Sequence, residues 1–280
     1  MLQTVMNAEH NMNAIVGAHD ILFLVLDALR FDVADAEMRE GRTPNFAKVA
    51  PEGWQKRHTP GSFTYAALHS FFAGFLPTPA APGGSRHKRL FAVKFAGSET
   101  IGPRTKVFEA ENIVAGLRNE GYRTICIGGV GFFNEQTPLS QIFPNMFCEA
   151  HWKTSFGVTE PTSSERQFSR AADRIAATSA DQPIFLFINV SAIHQPNYFY
   201  ARENGPDDLI SHAAALRCVD SQLPPLFRGF ARRKRPLFAI ICSDHGTAYD
   251  DDGYAGHRLA HPVVWNVPYS EGIINAADFA

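Results

Sequence analysis

Short apolar runs alternate along this chain with stretches of helical spacing. ILFLVL (21–26) is apolar at every position, the pattern of a strand covered on both faces. PIFLFINV (183–190) and PLFAIICSD (236–244) repeat that pattern, and RTICIG (123–128) predicts a further strand. Between them the spacing predicts helices over 43–50, with Thr43 as cap and Pro44 at the first helical position, and over 64–74, closed by a glycine. Two more are predicted over 109–122 and 164–179. A long helix within 207–230 should kink or end near Pro224–Pro225, because proline removes a helical hydrogen bond. HPVVWNVPY (261–269) reads as an edge strand.

Alternation of strand and helix predicts an α/β fold, with a mainly parallel sheet and helices on both faces. Ligands of such sheets bind beyond the carboxyl ends of the strands. Asp27 follows the first strand, His194 follows 183–190, and Asp244 and His245 end the 236–244 run. Topology alone therefore brings them to one rim. Residues 78–106 break the rhythm: they open rich in Pro and Gly and then turn basic. They read as a rim excursion in a single domain spanning 1–280, and residues 132–162 are also irregular.

The run IICSDHG (240–246) passes from apolar side chains straight to an acid, an imidazole and a glycine. A charge buried there needs a partner, and carboxylate plus imidazole on one turn suits Zn²⁺ or Mn²⁺. Asp27 is either a helix cap or a ligand. Asp32 is placed as an exposed acid at a helix start, and Arg30 can neutralise either acid or a substrate anion. Thr64 stands where a helix begins, so its hydroxyl either caps that helix or acts as a nucleophile activated by a metal. Ser62 is its rival for both roles, and His257 and His261 add two more imidazoles downstream.

Charge narrows the classes. Twenty-six basic residues face 28 acidic ones, a net charge of −2, which argues against nucleic-acid binding driven by bulk charge and leaves room for a small anionic substrate. The four cysteines form no C-x-x-C pair and read as free thiols of a reducing compartment. The first twenty residues lack the pattern of a secretory signal, and no apolar run is long enough to cross a bilayer. A cytoplasmic protein without membrane contact is the expectation. The sequence gives no reading of oligomeric state.

Taken in order, ILFLVLDALRFD, TPNFAKVAPEGW, TYAALHSFFAGFLP, LRNEGYRTICIGG, PIFLFINVSAIHQPNYFY, ICSDHGT and GYAGHRLAHPVVWNVPY resemble the motifs of the alkaline phosphatase and sulfatase superfamily of metal-dependent hydrolases. The resemblance implies an alkaline-phosphatase-like α/β domain, with no large C-terminal subdomain in so short a chain. It implies that Asp27, Thr64, Asp244 and His245 hold a divalent cation and that Thr64 is the nucleophile. His257 and His194 would serve a second metal or the substrate oxygens, His257 counted with the metal ligands and His194 with Arg30 on the substrate side. TYAAL lacks the Cys, Pro and Arg of the C-x-P-S-R element that matures to formylglycine, which points to the threonine-dependent phosphodiesterase and phosphotransferase branches. The D-x-x-G-H element is missing as well. NVSAIH offers Asn189 and His194, leaving one metal, or a second completed by Asp250 or Asp251. The implied activity is hydrolysis of a phosphate ester through Thr64, with phosphoryl transfer or sulfatase-like hydrolysis as alternatives and a catalytically degenerate binding protein as a further one.

Overall fold

Side chains of β1 (Asp20–Leu26) alternate between two cores. Successive residues of a strand point to opposite faces, so Leu22, Leu24 and Leu26 enter one apolar cluster and Ile21 and Val25 the other. A strand with a core on each side must be apolar throughout, which is what ILFLVL shows. The computed structural model describes residues 10–74, 90–93, 105–108, 111–233 and 235–279.

The remaining strands are β2 (Gln55–His58), β3 (Leu90–Val93), β4 (Thr105–Phe108), β5 (Arg123–Ile127), β6 (Glu149–His151), β7 (Ile184–Val190), β8 (Leu237–Cys242), β9 (Ala248–Asp251), β10 (Tyr254–Gly256) and β11 (Asn266–Ile274). The helices are α1 (Met12–Ile15), α2 (Phe31–Arg39), α3 (Pro44–Val49), α4 (Thr64–Ala73), α5 (Ile113–Asn119), α6 (Pro138–Gln141), α7 (Ser163–Ala177), α8 (Leu209–Ala231) and α9 (Pro262–Trp265). The main sheet has seven strands in the order β2-β11-β8-β1-β7-β5-β6. Strands β6, β5, β7, β1 and β8 run parallel, and β11 is antiparallel to both β8 and β2. One face packs on α7 and α8 through Phe168, Ile175, Leu216 and Phe227; the other packs on α4 and α5 through Leu68, Phe72 and Leu117. The expected α/β architecture is thus the observed one. Of the excursion expected at 78–106, only the paired strands β3 and β4 fall among the described residues.

Two expectations are corrected for physical reasons. Helix α8 does not end at Pro224 and Pro225 but continues to Ala231. Pro224 has no N–H for the carbonyl of Asp220, one turn back, but that carbonyl accepts the Asn45 side-chain amide at 3.0 Å instead. Leu223, Leu226, Phe227 and Phe230 keep the helix on the sheet. Residues 261–269 are not an edge strand. They begin with α9, capped by His261, and β11 then lies between β8 and β2. The edge on that side is β2, whose sequence QKRH carries no apolar signal because it is largely exposed.

Candidate metal centre and active site

The site is assembled where β1 and β8 end. Asp27 immediately follows β1, and its backbone N–H is donated to the Val190 carbonyl at 3.0 Å. Ala28 then adopts φ +65°, a left-handed conformation that is rare for a residue with a Cβ. The turn is stitched to the end of β8: the Ala28 N–H is donated to Asp244 Oδ1 at 3.2 Å and the Leu29 N–H to Ser243 Oγ at 3.0 Å. Gly246 is required by a close approach. Its N–H meets the Val264 carbonyl at 2.6 Å, and an added Cβ would lie 1.9 Å from the Val263 carbonyl oxygen. Thr64 is the first residue of α4, and the preceding Phe63 is the N-cap. The threonine hydroxyl therefore does not cap its helix but points at Asp27 and His245.

Thr64 Oγ1 lies 3.2 Å from Asp27 Oδ2 and 3.4 Å from His245 Nε2. His245 Nε2 lies 3.6 Å from Asp27 Oδ1 and 3.7 Å from Asp244 Oδ2. One donor atom from each of Asp27, Asp244 and His245 falls within 4.8 Å of the others, and all three residues are fully buried. Asn189 positions the first carboxylate: its amide is donated to Asp27 Oδ2 at 2.8 Å, while its own oxygen accepts the N–H groups of Gly129 and Val130.

Electrostatics makes this group unbalanced. Burial, and then the nearby Asp27 carboxylate, push the Asp244 carboxyl well above the usual carboxylate range. Burial holds the His245 imidazole below its ordinary value, although Asp27 opposes that shift. The His245 Nδ1 proton is directed to the Gly246 carbonyl at 2.9 Å, leaving the Nε2 lone pair toward the carboxylates. Asp27 Oδ1 and Asp244 Oδ2 are buried without a hydrogen-bond partner among the described residues. Buried acceptors are rarely left so. Two orphaned carboxylate oxygens, an imidazole lone pair and a hydroxyl facing one point form a donor set that fits a divalent cation.

His257 and His194 stand beside this group. The His257 ring centroid is 4.6 Å from that of His245 and 5.1 Å from that of His194, but His257 is not among the side chains that meet within 4.8 Å. Burial, then the neighbouring His245 and His194, lower the His257 pKa to about 4, so the ring is neutral at physiological pH. Both histidines line a cavity of about 680 Å³ together with Thr64, Gln195, Phe132 and Arg258.

Arg30 is not brought into this group. Its guanidinium is 3% exposed and is held by Asp32 at 2.6 Å and Asp251 at 2.7 Å. Its backbone N–H is donated to His212 Nε2 at 3.3 Å. The arginine thus fastens the β9 turn to the start of α2. Asp251 spends its Oδ2 on Arg30 and on the Tyr249 N–H. Sequence reasoning passed over Arg258, which carries no motif signal except its place next to His257.

The profile of the Sulfatase family matches residues 19–269. A search of curated proteins finds no match. Among solved structures, the chain is similar to the periplasmic domain of phosphoethanolamine transferase EptC from Campylobacter jejuni, with a TM-score of 0.62 and 13% identity over 94% of this chain and 81% of that one. It is similar to the corresponding domain of Escherichia coli EptC in complex with zinc, with a TM-score of 0.60 and 11% identity over 92% of this chain and 74% of that one. The lipoteichoic acid synthase LtaP from Listeria monocytogenes gives a TM-score of 0.61 and 13% identity, covering 92% of this chain and 66% of that one. At these identities the structures speak for the fold, and the fold agrees with the profile. Among the described residues no helix is long and apolar enough to cross a membrane. The match over nearly the whole sequence leads to one conclusion: the chain belongs to the sulfatase family.

Proposed function

We propose that this protein is a metal-dependent phosphoesterase in which Thr64 is the nucleophile and Asp27, Asp244 and His245 are the metal ligands. The observation that carries the reading is the position of Thr64 Oγ1, 3.2 Å from Asp27 Oδ2 and 3.4 Å from His245 Nε2, on a cavity shared with His194 and His257. A bound divalent cation supplies Lewis acidity toward phosphoryl oxygens and favours the ionised hydroxyl. Zn²⁺ or Mn²⁺ suits two carboxylates and an imidazole, and one similar structure is a zinc complex.

The chain's own residues divide the remaining work. Thr64 Oγ1 attacks phosphorus as the ester P–O bond on the opposite side breaks, and its proton leaves along the hydrogen bond to Asp27 Oδ2. Because Thr64 opens α4, the N-terminal amides of that helix favour the phosphoryl charge. His194 and His257 offer ring nitrogens to the phosphoryl oxygens from the cavity side. Asn189 keeps Asp27 in register with the loop at Gly129 and Val130. Water arriving on the phosphorylated Thr64 completes hydrolysis. An acceptor alcohol in its place completes transfer, a second reading supported by the transferase and synthase names of similar structures. TYAAL lacks the formylglycine element and speaks against sulfatase chemistry of that type.

We read the chain as one catalytic domain, with 78–106 as an insertion at its rim. A cytoplasmic location is supported by four unpaired cysteines, while the EptC domains are periplasmic; cell fractionation decides between the compartments. The reading is tested by turnover of p-nitrophenyl phosphate and its bis-ester after loading with zinc or manganese. Thr64→Ala should lose about 10³-fold or more of the wild-type rate while keeping its thermal midpoint. Near-normal turnover in Thr64→Ala removes the nucleophile assignment. A wild-type protein that neither binds metal nor turns over these esters supports the binding-protein reading instead.

A further inference from the structure

Two arginines lie close to the rim, and they differ in what their guanidinium groups have left to offer. Arg30 is buried and saturated by two carboxylates. Arg258 is exposed, lines the cavity that holds Thr64 and His257, and makes no ion pair among the described residues. Its position is referenced twice to the residues just before Thr64. The backbone N–H of Arg258 is donated to the Ser62 carbonyl at 2.8 Å, and the guanidinium carbon sits 4.8 Å from the centre of the Phe63 ring. A guanidinium stacked on an aromatic face keeps its in-plane N–H groups free for an anion.

The backbone of Arg258 is at φ +70°, where glycine is the favoured residue. The residue is exposed, and its side chain packs on the Phe63 ring at the cavity. Phe63 in turn lies 6.5 Å from Phe132, which lines the same cavity. A cation is thereby fixed at one side of the cavity with an apolar ring beside it.

We propose that Arg258 is the residue that binds and orients the anionic group of the substrate, holding non-bridging phosphoryl oxygens over Thr64. The inference rests on the phosphoester reading and adds the charge-recognising residue to it. Interaction with a group that is anionic in both the bound substrate and the transition state acts mainly on KM.

The test uses the full chain loaded with zinc, as wild type and as Arg258→Ala, Arg258→Gly and Arg258→Lys. Calorimetry measures the binding of inorganic phosphate, and kinetics on bis(p-nitrophenyl) phosphate separate kcat from KM. Arg258→Ala and Arg258→Gly should weaken phosphate binding by about 10- to 100-fold, the range for a hydrogen bond to a charged group. Their KM should rise by a similar factor with kcat changed much less, and Arg258→Lys should recover part of both. Arg258→Gly should melt at or above the wild-type temperature, since glycine relieves the left-handed backbone. Unchanged phosphate affinity in the alanine and glycine variants, or no phosphate binding by the wild type, overturns the assignment. Failure of the phosphoester reading shows separately, as a wild type that binds phosphate through Arg258 yet turns over no ester.

Discussion

Asp20 and Asp27 sit at the two ends of the same strand, both fully buried, and their surroundings are opposite. Asp20 is balanced. Its Oδ2 accepts from Arg233 Nε at 2.7 Å, and its Oδ1 accepts from the Ile184 N–H at 2.8 Å. Arg233 is in turn finished off by the carbonyls of Thr178, Ser179 and Gln182. Among the described residues Asp27 has no cationic side chain against it beyond a neutral-leaning imidazole. It faces a second carboxylate, and one of its oxygens has no donor. The amino end of the strand carries a closed ion pair, and the carboxyl end leaves carboxylate oxygens without a donor among the described residues. A buried charge must be paired or coordinated; the rule is met by Arg233 at one end, and at the other Asp27, Asp244 and His245 bring donor atoms within 4.8 Å of one another.

That contrast can be broken most sharply at Asp20. Asp20→Asn leaves the Arg233 guanidinium buried and uncompensated, which costs about 3–5 kcal/mol. For a chain of this size, that lowers the thermal midpoint by roughly 10 °C, with or without metal, as calorimetric melting would register. At the other end the effect depends on the cation. Asp27→Asn and Asp244→Asn should melt no lower than wild type in EDTA, because each relieves a pair of buried carboxylates. Zinc at about 100 times its Kd should stabilise the wild type by about 2.7 kcal/mol. The asparagine variants should bind about 10- to 100-fold more weakly and lose most of that gain at the same zinc concentration. A midpoint that falls equally in EDTA for Asp20→Asn and Asp244→Asn would erase the distinction between the two ends.

The smallest effect is on pH dependence, away from both aspartates. Burial, and then the charge of Arg30, lower the His212 pKa from 6.5 to about 3. The unfolded chain takes up this proton near pH 6.5 and the folded chain does not until about pH 3, so stability falls as pH drops through that window. His212→Asn should flatten the fall in denaturation midpoint between pH 6.5 and pH 4, whatever it does to the midpoint at neutral pH. An unchanged slope would mean that His212 is protonated in the fold.

Much of this was legible in the sequence, for a reason that also marks the boundary. Strands β1, β7 and β8 are covered on both faces, so burial wrote itself into unbroken apolar runs, and the polar residues that follow them had to be the rim. Asp27, Asp244 and His245 were legible that way, Thr64 only from its place at a helix start and from the family resemblance, and the four side chains meet. Strand β2 was invisible because an exposed edge asks nothing of its side chains. The passage of α8 through two prolines depended on Asn45, 175 residues from Asp220. Arg30 and Arg258 look alike in the sequence. Only the fold shows that Asp251, 221 residues away, occupies the first, while the second stands at the cavity. Local burial leaves a pattern in a sequence, but long-range pairing of polar groups does not.

The central claim is that Asp27, Thr64, Asp244 and His245 share one cation. Crystals of the full chain grown with zinc, measured on both sides of the zinc absorption edge, test it most directly. The account predicts an anomalous peak enclosed by these four side chains. A zinc-saturated crystal with no peak there, or with the metal held elsewhere, would contradict it.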